Sequence, residues 1–188
     1  MEHAATSLLD ARRSILVLVD VQTRLAPHVE GNADIERRSL ALARGAAELG
    51  VPVFLTEHCP EVMGPTVPRL RELVPPSSII GKRHFSAMAE PALPEVLGQL
   101  GRTQVLVGGM EAHVCVLQTA LGILDAGYEC WFVQDAAGSR HAADRLAAAT
   151  RLAAAGARTV TAEMALFEWL RHADHPAFRS VHGLIKAL

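Results

Sequence analysis

What most restricts the fold of this 188-residue chain is a punctuation mark that occurs four times: a helix-like stretch, a glycine, then a short apolar run. Leu49-Gly50 leads into Val51-Pro52-Val53-Phe54-Leu55, and Leu100-Gly101 into Val105-Leu106-Val107. Ala126-Gly127 leads into Cys130-Trp131-Phe132-Val133, and Ala155-Gly156 into Arg158-Thr159-Val160. Glycine just past a helix adopts φ > 0 without strain, so each mark reads as a helix stop feeding a strand. The first run, Ile15 to Val19, is continuously apolar and β-branched, as strands buried on both faces are. The segments between have helical period, with stripes at Ile35, Leu42, Ala46 and Leu49, at Val114, Leu117, Leu121 and Leu124, and at Leu146, Ala149 and Ala153. Alternating strand and helix predicts a parallel sheet covered on both faces. About six strands are expected, including a short one at Ser78 to Ile80. The proline-rich stretch from Cys59 to Pro76 is expected to be a structured loop with one short helix. The fold class is therefore three-layer α/β/α, a six-stranded parallel sheet of Rossmann-like, doubly wound type, in a single domain over residues 1–188.

Composition narrows the function classes. Lys+Arg 18 against Asp+Glu 20 gives a net charge of −2, which offers no basic field for nucleic acid or anionic lipid. No apolar run approaches the roughly 20 residues of a membrane span. Met1 to Arg13 lacks the apolar core of a signal peptide. Three scattered cysteines do not make a disulfide framework. The expected setting is the cytoplasm, with reduced thiols and neither nucleic acid nor membrane as partner.

In open parallel sheets, ligands bind outside the carboxyl ends of the strands, where strand order reverses. The residues there are Asp20 after the first run, Thr56-Glu57-His58 after the second, and Gly81-Lys82 after the short third. The fourth is followed by Gly108-Gly109-Met110-Glu111-Ala112-His113-Val114-Cys115, and the fifth by Gln134-Asp135. An acid, a lysine and a cysteine thus converge on one sheet edge, with Asp20 and Cys115 flanking the switch point. Cys115 lies in the first turn of a helix, where the dipole favours thiolate and free N–H groups can serve an oxyanion. A carboxylate at Asp20 can take the thiol proton and hand it to a leaving amine. Lys82 is one of two lysines beside sixteen arginines, a compact ammonium where arginine is the default cation. Each residue also has a plainer reading: a small hydrophobe for Cys115, a cap for Asp20, a surface charge for Lys82.

Other chemistries lack their motifs. There is no G-x-G-x-x-G after the first strand, no Walker A, no G-x-S-x-G and no H-E-x-x-H. Cys59, Cys115 and Cys130 are not at C-x-x-C spacing. Glu57, His58 and Glu61 are close enough in sequence for a metal, but a loop lining the pocket is the favoured reading, so no metal or cofactor is expected. Asp135 with Ser139-Arg140 is expected to cap the following helix. His113 could act as a base, although residues i and i+2 point apart on a helix.

These residues resemble the isochorismatase-like cysteine hydrolases. The resemblance runs from Leu16-Val17-Leu18-Val19-Asp20-Val21-Gln22 to Glu163-Met164-Ala165-Leu166-Phe167-Glu168-Trp169-Leu170. It is most specific at Gly109-Met110-Glu111-Ala112-His113-Val114-Cys115-Val116-Leu117-Gln118-Thr119-Ala120. Thr56-Glu57-His58, Gly64-Pro65-Thr66-Val67-Pro68, Lys82 with Phe85-Ser86-Ala87, and Asp135-Ala136 with Ser139-Arg140 support it. The resemblance implies a catalytic triad of Asp20, Lys82 and Cys115. It also implies a cis peptide at Met110-Glu111 and an oxyanion hole from the backbone N–H groups of Glu111 and Cys115. Nicotinamidase-type members carry an aspartate and spaced histidines for a metal, and Thr56 to Pro68 here has no such set. Members that cleave isochorismate's enol ether do not use the cysteine. His58 stands where many relatives have glutamine. Gln22, His58, Phe85 and His113 are the candidate substrate contacts.

The expected function is cysteine-dependent hydrolysis of a carbonyl–nitrogen bond in a small amide or carbamoyl compound, through an acyl-thioester on Cys115, in a homo-oligomer. The alternatives are a non-catalytic oligomeric binding or scaffold protein of the same fold, and a redox-sensing thiol partnered by Cys59 or Cys130.

Overall fold

In the computed structural model, which describes residues 8–188, β1 (Ser14–Val19) is buried along its whole length at the middle of the sheet. The other strands are β2 (Val53–His58), β3 (Ile79–Lys82), β4 (Gln104–Met110), β5 (Glu129–Gly138) and β6 (Arg158–Val160). Their order is β3-β2-β1-β4-β5-β6, and every neighbouring pair is parallel. The chain winds outward from β1 through β2 to β3, then returns to β4 and winds the other way, so the order reverses between β1 and β4.

Eight α-helices occur among the described residues: α1 (Asn32–Glu48), α2 (Pro60–Met63), α3 (Pro68–Arg71), α4 (Ala92–Leu100), α5 (Leu117–Asp125), α6 (Ala142–Ala154), α7 (Ala162–Leu170) and α8 (Phe178–Ile185). Alternate residues of β1 enter opposite cores. Leu16 and Leu18 pack with Leu42 and Ala46 of α1, Leu166 and Trp169 of α7, and Val181 of α8. Ile15, Val17 and Val19 pack with Leu93 and Leu97 of α4, Ala120 and Ile123 of α5, and Leu152 of α6. Two apolar layers explain why the first strand reads as an unbroken apolar run. The expected helix stops are in place: Gly50, Gly101, Gly127 and Gly156 all have positive φ. No helix among the described residues is long and apolar enough to cross a membrane. The expectation for Met1 to Arg13 rests partly on residues 1–7, which lie outside the described ones.

Three local expectations are corrected. The short third strand runs Ile79–Lys82, so Lys82 is its last residue rather than the residue after it. The proline-rich stretch holds two one-turn helices, α2 and α3, each with proline at its first position, where the missing N–H has no helical partner to lose. The helix faces also differ. On α5 the buried residues are Leu117, Thr119, Ala120 and Ile123, because a π-helical turn at Ala112–Val116 precedes the helix and shifts the phase that a 3.6 period assumes. On α6 Leu146 is 69% exposed, and Ala148 and Leu152 face the sheet.

One glycine shapes the switch point. Gly109 has φ of 118°, and a Cβ there would lie 2.0 Å from the carbonyl oxygen of Val19. Only glycine lets the end of β4 approach β1 this closely. The register between β4 and β5 shifts at the same place, between Val107 and Gly109.

Candidate active site

Asp20 follows β1 directly, with φ of 51° and a fully buried side chain. Its backbone N–H donates to the carbonyl of Thr56 (3.1 Å), and its carbonyl accepts from the N–H of Gln22 (2.8 Å). The carboxylate is held asymmetrically. Oδ1 accepts a 2.6 Å hydrogen bond from the Thr56 hydroxyl, and Oδ2 lies 2.7 Å from the Lys82 ammonium.

Lys82 reaches this point across β2. Two strand spacings amount to about 10 Å, and the extended side chain spans them, with both charged side chains at 0% exposure. The aligned hydrogen bonds of Nζ go to the carbonyls of His84 (3.2 Å) and Phe85 (3.0 Å). Oδ2 is therefore met by the charge of Lys82 and by no aligned donor among the described residues.

Cys115 sits in the π-helical turn between β4 and α5, 6% exposed, and the Met110-Glu111 peptide that leads into the turn is cis. The turn hangs from the Glu111 carbonyl, which accepts from the N–H groups of Val114 (3.1 Å) and Val116 (3.2 Å). Burial pushes the thiol up to about 12; the Asp20 charge pushes the same way, and Lys82 opposes them. The helix end was expected to favour thiolate, and the net shift runs the other way. Desolvation outweighs the half-charge of the helix end, so Cys115 rests as a neutral thiol beside a carboxylate–ammonium pair.

The surrounding residues hold this arrangement in place. Glu111 accepts from Arg140 Nε (2.9 Å), and His113 Nδ1 pairs with Ser139 Oγ (2.9 Å) while its Nε2 lies 4.0 Å from Asp144. The imidazole of His113 is thus engaged with the end of β5 and with α6. Asp135 does not cap the next helix as expected. Its Oδ1 accepts from the N–H of Ala162, at the start of α7, and its Oδ2 accepts from Arg38 Nε of α1. Gln22 is fully buried and bound to backbone, donating to the carbonyls of His58 (3.1 Å) and Gly64 (2.6 Å) and accepting from the N–H of His58 (2.8 Å). That makes Gln22 a tie between loops rather than a free contact.

His58 and Phe85 form a tilted ring pair 5.3 Å apart, Phe85 is 50% exposed, and His58 Nδ1 is buried without a partner among the described residues. Of the sequence-based contacts, these two remain available to a ligand. Glu57 accepts from the N–H of Thr66 (2.7 Å) and from Arg71 (2.6 Å), and Glu61 pairs with Arg83 (2.8 Å). Among the described residues, no group of three His, Cys, Asp or Glu side chains could hold a metal ion. Thr56 is the site residue whose role sequence reasoning missed. The signal was a hydroxyl directly after the apolar run Val53-Phe54-Leu55, but its pairing with the end of β1 had to be known first.

The family model for the isochorismatase domain matches residues 14–164. The chain is 34% identical over 187 residues to isochorismatase domain-containing protein 1 of Danio rerio; the match covers 99% of this chain and 65% of that protein. A solved structure described as MAR1 ribonuclease from Caenorhabditis elegans superposes with a TM-score of 0.90 at 32% identity, covering 96% of this chain and 93% of that one. The YcaC gene product of Escherichia coli, described as an octameric hydrolase of unknown specificity, has the same fold with a TM-score of 0.93 at 24% identity, over 98% of this chain and 92% of that one.

Proposed function

This chain belongs to the isochorismatase family, and from that premise we propose that it is a cysteine-dependent hydrolase cleaving a carbonyl–nitrogen bond in a small amide or carbamoyl compound. The observation that carries the proposal is the Asp20–Lys82 ion pair, closed from solvent at the switch point beside the Cys115 thiol. Desolvating two charges costs several kcal/mol per ion before their attraction is counted, and the fold alone has no need of them. That argues for chemistry over the scaffold alternative.

Because the thiol rests protonated, proton transfer accompanies attack. Asp20 takes the Sγ proton as sulfur bonds to the substrate carbonyl carbon, and the carbonyl π electrons move onto oxygen. The N–H groups of Glu111 and Cys115 are proposed to hold that oxyanion, and each such donor is worth about 3–4 kcal/mol in comparable sites. When the oxygen pair returns, the C–N bond breaks and the nitrogen leaves with the proton from Asp20. Water then attacks the acyl-thioester and gives a proton to Asp20. The C–S bond breaks, the acid departs, and sulfur recovers its proton from Asp20. Lys82 balances the charge of the base through both halves. His58 and Phe85 are proposed to contact the substrate.

The same proposal places the reaction in the cytoplasm, where the thiol stays reduced, and in a homo-oligomer, the YcaC neighbour being described as octameric. The test is a panel of small primary amides, carbamoyl compounds and single-stranded RNA, assayed with wild type, Cys115→Ala and Asp20→Asn. Intact-mass detection of an acyl adduct runs alongside. Amide turnover lost in both variants, with an adduct on Cys115, is the expected result. Since acidic residues outnumber basic ones, no RNA cleavage is expected despite the name of the worm relative. Turnover that survives Cys115→Ala would overturn the mechanism.

A further inference from the structure

Resting on this reading of the site, we propose that Thr56 is a positioning residue that decides which oxygen of Asp20 carries the proton. Thr56 holds Asp20 at both ends: its carbonyl accepts from the Asp20 N–H, and its hydroxyl donates to Oδ1 at 2.6 Å. Both side chains are fully buried, so no water competes for either group. An ionised carboxylate only accepts, so the hydroxyl hydrogen must point to Oδ1. That occupies Oδ1 and leaves Oδ2 facing Lys82. Oδ2 has no aligned donor of its own among the described residues, which leaves it as the oxygen free to take a proton from sulfur and return it to the leaving nitrogen. Valine would fill the same place in a purely structural strand, where a buried hydroxyl is worth keeping only if it has a partner.

The role is read from the pH dependence of Cys115 alkylation by iodoacetamide, followed by peptide mass spectrometry. In wild type, a base-assisted thiol gives a plateau with an acid limb where Asp20 takes up a proton. A hydrogen bond to the charged form favours that form. Removing it with Thr56→Val moves the limb upward by about one to two pH units, so the rate at the wild-type midpoint falls about 5- to 50-fold. Thr56→Ser keeps the hydroxyl and keeps the limb in place. Added to Asp20→Asn, Thr56→Val changes nothing further. Thermal melts establish folding, and Thr56→Ala takes the place of the valine variant if that one does not fold.

A limb in Thr56→Val that coincides with wild type overturns the inference, as does a limb in Thr56→Ser that moves as far as in Thr56→Val. If Asp20→Asn itself retains the wild-type plateau, the catalytic reading of the site fails. If Asp20→Asn loses the plateau while Thr56→Val leaves the limb unmoved, only the role of Thr56 fails.

Discussion

Replacing Lys82 by methionine keeps most of the side-chain length and removes the charge that balances Asp20. Both side chains are at 0% exposure and their charged atoms are 2.7 Å apart. The variant leaves Asp20 with the hydrogen bond from Thr56 and no opposite charge beside it. Breaking a buried pair from one side costs about 3–5 kcal/mol. For a chain of this size that is a fall in Tm of roughly 6–20 °C.

The penalty depends on pH in a definite sense. Near pH 4 and below, the carboxyl can be protonated in both folded and unfolded variant, and no uncompensated charge is buried. As pH rises, the unfolded chain gives up its proton first, and the penalty grows by about 1.4 kcal/mol per unit, to about 1.5 kcal/mol at pH 5. It levels off at the full value near neutrality. The assay is urea unfolding of wild type and Lys82→Met at pH 5 and pH 8, followed by circular dichroism. Lys82→Met/Asp20→Asn, with neither charge, recovers most of the lost stability at pH 8. A loss below about 1 kcal/mol at pH 8, or an equal loss at both pH values, would refute the reasoning.

Two further substitutions probe the framework. Gly109→Ala places a Cβ 2.0 Å from the Val19 carbonyl at φ of 118°, and thermal melts should show a loss of at least about 2 kcal/mol. Leu152→Ala, in the core under α6, should cost about 2–5 kcal/mol in urea unfolding, whereas Leu146→Ala, at 69% exposure, should stay within about 0.5 kcal/mol of wild type.

The layers and the strand order type were legible because their signals are local. Gly50, Gly101, Gly127 and Gly156 mark helix ends by their own backbone freedom, and an unbroken apolar run such as Ile15 to Val19 reports burial on two faces. Helix faces were less so. Leu146 falls on a plausible stripe, yet α6 is so rich in alanine that several stripes compete, and the π-helical turn before α5 adds a phase shift that periodicity cannot supply. The convergence of Asp20, Lys82 and Cys115 on one sheet edge could be read from topology, and the reach of Lys82 across β2 was a matter of side-chain length. The upward shift of the Cys115 thiol could not be read, since burial is a property of the assembled core and here it outweighs the helix end. Nor could the roles of Thr56 and Asp135, because their partners lie 36 and 27 residues away and depend on register.

The most direct test of the account is the shape of the pH profile for iodoacetamide alkylation of Cys115, compared between wild type and Asp20→Asn. A thiol pushed up to about 12 that ionises unaided reacts tenfold faster with each pH unit and has no plateau below that value. A plateau through neutral pH is predicted in wild type, and its loss in Asp20→Asn, where the thiol has no base and its rate climbs with pH toward the lower value left when the Asp20 charge is removed. The same steep line in both proteins would contradict it.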